Sequence, residues 1–116
     1  MPPTLGDRLA HVLEAILSIE DLLAGKTQAD IAANRHLRMI LERELEIISE
    51  ASRKVPDQIK AEEKSIDWTA MAALGNRLRH LYHRADIEIL LSIAQADLPP
   101  LKAFVERVLD EERKKQ

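Results

Sequence analysis

"LGDRLAHVLEAILSIEDLLAG", residues 5–25, decides the fold class. Its apolar residues Leu5, Leu9, Val12, Ile16, Ile19 and Leu23 follow one another at steps of three and four. That rhythm lays them on one stripe of a helix, whereas a strand needs strict alternation, and no stretch of any length in the chain alternates. Glycine at position 25 closes the segment, so the spacing predicts a first helix ending there.

Outward from that helix, the pattern repeats. Thr27 and Asp30 in "KTQAD" have capping-box spacing, in which the threonine hydroxyl accepts a hydrogen bond from an otherwise unpaired amide of a new helix. A long second helix is expected from there to about Arg53. It carries two apolar stripes, one of Leu37, Leu41, Leu45 and Ile48 and one of Ile40, Ile47 and Ala51. A face that wide serves two neighbours, either two parts of one core or a core and a second subunit. "KVPDQIKAEEKSIDW" interrupts with Pro56 and a charged run, and reads as a connection holding one short helix. Asp67 is placed to cap a helix running through Trp68, Met71, Leu74, Leu78 and Tyr82. A further helix starts at Asp86, and "LPPLKAFVERVLDEERKK" makes a last one, with proline in its first turn and a basic end that suits the helix dipole. The expectation is an all-α, up-and-down bundle of four to five main helices.

Composition narrows the function classes. A chain of 116 residues makes one domain, 1–116, with a single core. Its formal net charge of -3 gives no bulk attraction to nucleic acid or to an anionic membrane, so any such binding must come from local clusters, and DNA is not expected as a partner. There is no cysteine, which removes disulfides, thiol catalysis and thiolate metal sites together. The amino-terminal residues mix an acid and a histidine among apolar ones, unlike a signal peptide, and no apolar run reaches the ~18 residues of a membrane helix. A soluble cytoplasmic domain without membrane contact is the expectation.

Most motifs that announce chemistry are missing. No Glu-x-x-His pair occurs; His11 and Glu14 have the reverse order and stand alone, so no metal is expected. The three glycines lie too far apart for a phosphate loop, no serine elbow is present, and no cofactor is expected. Glu42, Glu44, Glu46 and Glu50, interleaved with Arg38 and Arg43, read as a solvated face of the second helix. His11 and His36 are isolated positions with no assigned role.

One stretch is chemically denser. In "GNRLRHLYHR", residues 75–84, Arg77, Arg79 and Arg84 bring fixed positive charge, His80 titrates near neutral pH, and Asn76 and Tyr82 offer hydrogen bonds. On a helix Asn76 and Arg77 lie four and three residues before His80, so the three share a face, while Met71, Leu74, Leu78 and Leu81 point to the core. Polar outward and apolar inward is also how any amphipathic helix looks, so an ordinary solvated surface stays open on composition alone.

The order "RLAHVLEAILSIEDLLAG", "LERELEIISEAS" and "DWTAMAALGNRLRHLYHRADIEIL" resembles, through nearly the whole chain, the HepT-like branch of the HEPN superfamily. The specific parts are Glu50-Ala51 after the isoleucine pair, Trp68 opening its helix, and the Asn-x-x-x-His-x-Tyr run. The resemblance implies a helical domain that forms two-fold homodimers and acts as the ribonuclease toxin of a toxin–antitoxin pair. The implied partner is an MNT-type nucleotidyltransferase antitoxin, and the substrate is RNA. The family's asparagine, histidine and tyrosine match Asn76, His80 and Tyr82; its arginine falls on Gly75. Metal-free RNA cleavage needs a group to move protons, a role His80 suits, and a cation beside the phosphorane, a role left to Arg77 or Arg79. Tyr82 is the implied acceptor of adenylate from the nucleotidyltransferase. With glycine in the arginine's seat, a catalytically impaired dimer that serves as a binding partner or modification target is the competing expectation. Glycine inside a helix costs roughly 1 kcal/mol against alanine, so Gly75 has a reason to be there. Close helix approach across a dimer and close packing within one chain both supply one.

Overall fold

The structure, a computed structural model, describes residues 4–78 and 84–115, with the side chains of 84–86 left outside that description. Within them the chain forms α1 (Leu5–Leu23), α2 (Gln28–Ala33), α3 (Arg35–Arg53), α4 (Asp57–Glu62), α5 (Trp68–Leu78), α6 (Arg84–Ala96) and α7 (Leu98–Lys114). No strand occurs among the described residues, and the architecture is the expected all-α bundle.

The helix ends follow local chemistry. The Thr4 hydroxyl accepts from the Asp7 amide at 3.1 Å while the Asp7 carboxylate accepts from the Thr4 amide at 3.0 Å, a reciprocal box that starts α1. Those two bonds, the backbone one foremost, hold the exposed Asp7 carboxyl below its ordinary range. α1 stops at Leu23, two residues short of Gly25, which takes the left-handed φ of 71° that only glycine adopts cheaply. Thr27 and Asp30 form the box read from the sequence, at 3.1 and 2.8 Å, and Asp30 is likewise held low by its bonds to Thr27.

The single helix anticipated from Thr27 to Arg53 is two, because Asn34 leaves helical geometry at φ -113° and ψ 103°. Its side-chain oxygen accepts from the amides of His36 and Leu37 at 3.0 and 3.2 Å, which caps a new helix. An asparagine that can satisfy two amides locally competes with the helix it interrupts. The described residues therefore form five long helices plus the two short ones, α2 and α4.

α3 is the central helix. It packs between α1 and α5; α1 also lies on α7, α6 pairs with α7, and α2 leans on α3 and α6. Leu9, Val12, Ile16 and Ile19 of α1 meet Leu41, Leu45 and Ile48 of α3, Met71 and Leu74 of α5, and Leu101 and Val105 of α7 in one fully buried cluster. Each such side chain contributes about 1.5–3 kcal/mol by leaving water, which makes this cluster the main stabilising feature. Trp68 stacks edge-on to Phe104, ring centroids 5.5 Å apart, and its indole N–H donates to the Glu63 carbonyl at 3.2 Å. Arg107 of α7 pairs with Glu63, joining the connection after α4 to the bundle.

The two stripes of the second helix part company. Leu41, Leu45 and Ile48 are core, Ala51 is buried and Ile47 packs against the core, while Ile40 remains 46% exposed beside Met39 at 52%. Asp67 does cap α5, its carboxylate accepting from the Ala70 amide at 2.9 Å. α7 has proline in its first turn and Arg113 and Lys114 in its last, as expected. No helix among the described residues is long and apolar enough to cross a membrane.

Candidate active site

α5 carries the candidate site at its carboxyl-terminal turn. Met71 and Leu74 are fully buried and Leu78 packs against the core, so the expected stripe does face inward as far as it is described. Asn76 and Arg77, between those positions, are both exposed on the last turn. Two of the expected site residues are thus side by side on the surface of one helix end. His80, Arg79 and Tyr82 lie outside the described residues, as does Leu81.

Gly75 is accounted for within one chain. The Ser49 hydroxyl, on α3, accepts from the Gly75 amide at 3.1 Å and donates to the Ala72 carbonyl at 3.2 Å. A Cβ on residue 75 would stand 3.3 Å from that oxygen, closer than side-chain carbons normally come to a neighbour. Ser49 is 2% exposed and tied at both ends, so it cannot easily step aside. The absence of a side chain at position 75 is what lets α5 approach α3 this closely, and the packing within one chain supplies the reason the glycine needs.

A second α3 residue reaches the same place. Arg53 donates to the Ala72 carbonyl from Nε at 3.0 Å and from Nη2 at 2.9 Å. That Nη2 lies 3.9 Å from where a Cβ of residue 75 would be. Ala72 thus receives three side-chain hydrogen bonds on one carbonyl, two from Arg53 and one from Ser49. The cavity beside this contact, about 190 Å³, is lined by Glu42, Glu46, Ser49, Glu50, Arg53, Gly75 and Leu78. Glu50 stands 4.0 Å from Arg53 Nη1, and Glu46 pairs with Arg43 at 3.2 Å. Three of the four glutamates read from the sequence as a solvated face, Glu42, Glu46 and Glu50, therefore also border a cavity.

Ser49 and Arg53 are the residues that sequence reasoning missed. The available signal was a serine standing directly after Ile48 in the apolar stripe of α3, one turn before an arginine, combined with a lone glycine in another helix. Small and hydroxyl residues in that combination mark close helix contact.

Elsewhere, His11 and His36 are exposed. His11 borders a shallow groove with Arg8, Arg43 and Glu50, and the His36 amide serves in the Asn34 cap. Among the described residues no three His, Asp or Glu side chains converge to hold a metal ion. Chemically, Asn76 and Arg77 can grip a phosphodiester through an amide and a guanidinium.

The described residues form an all-helical bundle, and the sequence run Asn76-x-x-x-His80-x-Tyr82 begins on the last turn of α5. The sequence profile of the family described as "Ribonuclease HepT-like" matches residues 12–108. A protein of Thermococcus cleftensis named "Probable ribonuclease HepT" is 31% identical over 88% of this chain and 93% of its own length. A protein of Methanocaldococcus jannaschii, provisionally named an RNase, is 30% identical over 86% of this chain and 92% of its own length. Another from Caldanaerobacter subterraneus, with the same provisional description, is 24% identical over 90% of this chain and 94% of its own. No solved structure matches significantly. The chain belongs to the HepT-like ribonuclease family.

Proposed function

We propose that the protein is a homodimeric, metal-independent endoribonuclease, the toxin of a toxin–antitoxin pair held in check by an MNT-type nucleotidyltransferase. The observation that carries this is the family match over residues 12–108, which contains the whole run Asn76-x-x-x-His80-x-Tyr82. In the proposed reaction His80 takes the proton of a 2′-hydroxyl, and the freed oxygen attacks the adjacent phosphorus. The bond to the 5′-oxygen of the next nucleotide breaks, and that oxygen takes up a proton as it leaves. The products are a 2′,3′-cyclic phosphate and a 5′-hydroxyl. Asn76 orients the phosphodiester, and Arg77, with Arg79, binds the strand beside His80. Tyr82 is the proposed site at which the nucleotidyltransferase attaches adenylate, placing phosphate charge where RNA would bind.

The test is incubation of single-stranded RNA with purified protein in the presence of a chelator. Wild type cuts and His80→Ala does not; a mutant that cuts at the wild-type rate removes His80 from the mechanism. A specific observation also favours a second reading, an impaired dimer acting as modification target: the Ser49 hydroxyl crowds the seat the family gives to arginine. A wild-type protein that leaves RNA intact, yet gains mass equal to adenylate on incubation with a nucleotidyltransferase and ATP, supports that second reading. A nucleotidyltransferase coding region beside the gene fits either.

A further inference from the structure

Direction around α5 separates the arginines. Successive helical residues are about 100° apart, so Arg77 lies roughly 200° around from residue 75 and faces away from it. Gly75 faces α3, as its contacts with Ser49 show. Arg79 lies outside the described residues, and among the described ones the cation at the seat where the family carries its arginine comes from the α3 side. There, Arg53 holds its guanidinium 3.9 Å from the position of the missing Cβ.

We propose that Arg53 of α3 supplies the charge-stabilising guanidinium that position 75 lacks, contacting the scissile phosphodiester from the cavity beside Gly75. This rests on the ribonuclease reading above and assigns to it a residue from a different helix. Two of the five guanidinium N–H groups go to the Ala72 carbonyl, which fixes the plane of the group, and three are not taken by it. Such anchoring matters, because a fixed cation need not reorganise as charge builds on the phosphorane. Arg53 is the one cation among the described residues lining this cavity, and its side chain is 45% exposed, open enough for a ligand to reach. The Glu50 carboxylate, at 4.0 Å, is beyond hydrogen-bond length and leaves Nη1 available for an incoming phosphate oxygen. Glu42 and Glu46 repel anions from the rest of the cavity, so the contact belongs at its Gly75 end.

The experiment compares wild type, Arg53→Gln, Arg53→Lys, Arg53→Ala and His80→Ala on a mixed-sequence single-stranded RNA with chelator, under single-turnover conditions. Arg53→Gln keeps a hydrogen-bonding amide without charge, and its rate should fall on the order of 100-fold or more, with KM little changed. Arg53→Lys should retain part of the rate, and guanidinium ion added to Arg53→Ala should restore part of it. A residue that only latches α3 to α5 would show neither effect. Full wild-type cleavage by Arg53→Gln, with His80→Ala inactive, overturns the assignment and leaves the ribonuclease reading standing. A slow Arg53→Gln that unfolds at a much lower temperature, with Arg53→Ala showing no guanidinium rescue, overturns it too, in favour of a structural latch. Wild type that cleaves no RNA, or cleaves as fast as His80→Ala, overturns the ribonuclease reading itself and the Arg53 role with it.

Discussion

The contact between Gly75 and Ser49 makes a quantitative claim about stability. Replacing an interior helical glycine by alanine ordinarily gains about 1 kcal/mol from the reduced backbone entropy of the unfolded chain. Here the new methyl would meet the Ser49 hydroxyl at 3.3 Å, and that hydroxyl is buried and bonded to both Ala72 and Gly75. Moving it by a few tenths of an ångström lengthens two hydrogen bonds, each worth about 1 kcal/mol net. The gain and the loss are of one size, so Gly75→Ala should change stability by less than about 0.5 kcal/mol. In a Ser49→Ala background the obstacle is gone, and the nearest remaining Ser49 atom, its Cβ, is at an ordinary 3.9 Å. The same Gly75→Ala change should there stabilise by about 1 kcal/mol, a coupling a double-mutant cycle resolves. Urea unfolding of the four proteins at one concentration and pH gives the four free energies. A gain of about 1 kcal/mol in both backgrounds would refute the claim that Ser49 dictates glycine at position 75.

Further outcomes follow from the scaffold. Asn34→Ala removes the side chain that accepts from His36 and Leu37, and should lower stability by about 1 kcal/mol in urea unfolding while leaving the helical circular dichroism signal nearly unchanged. Leu45→Ala, at a position with no solvent exposure on the central helix, should lower it by about 2–5 kcal/mol in the same measurement. Asp97 tests the electrostatics. Burial, and secondarily the charge of Asp67, raises its carboxyl above the ordinary 3.8. A raised carboxyl favours folding below its unfolded value, and that advantage disappears as pH rises through the folded value. Asp97→Asn should therefore stabilise the protein near pH 7, and thermal unfolding should show the difference shrinking to nothing as pH falls below 3.8.

What the sequence disclosed and what it withheld divide along physical lines. The stripe Leu9, Val12, Ile16, Ile19 is legible because burial imposes its period directly on the residues, and the Thr27–Asp30 box because both partners lie within one turn. The break at Asn34 was not legible: an asparagine in "IAANRHL" is compatible with helix and with cap, and no glycine or proline tips the balance. The polar turn at Asn76 and Arg77 could be placed on the surface from the positions of Met71 and Leu74 alone. The partners of Gly75 could not, since Ser49 lies 26 residues away and Arg53's contact with Ala72 spans 19. Such contacts depend on how two helices cross, and periodicity within one helix carries no information on that register. Read in its own helix, Gly75 is a glycine in the seat of the family's arginine, with close packing across a dimer or within one chain both open. Seen against α3, it is one half of a fitted contact, with an arginine beside it.

The proposed ribonuclease activity depends most directly on the chemistry assigned to His80. Single-stranded RNA incubated in chelator with wild type and with His80→Ala, followed by analysis of the new termini, tests it in one measurement. The account predicts 2′,3′-cyclic phosphate and 5′-hydroxyl ends from wild type and intact RNA from the variant. Cleavage that requires a divalent ion, leaves 5′-phosphate ends, or continues undiminished in His80→Ala would contradict it.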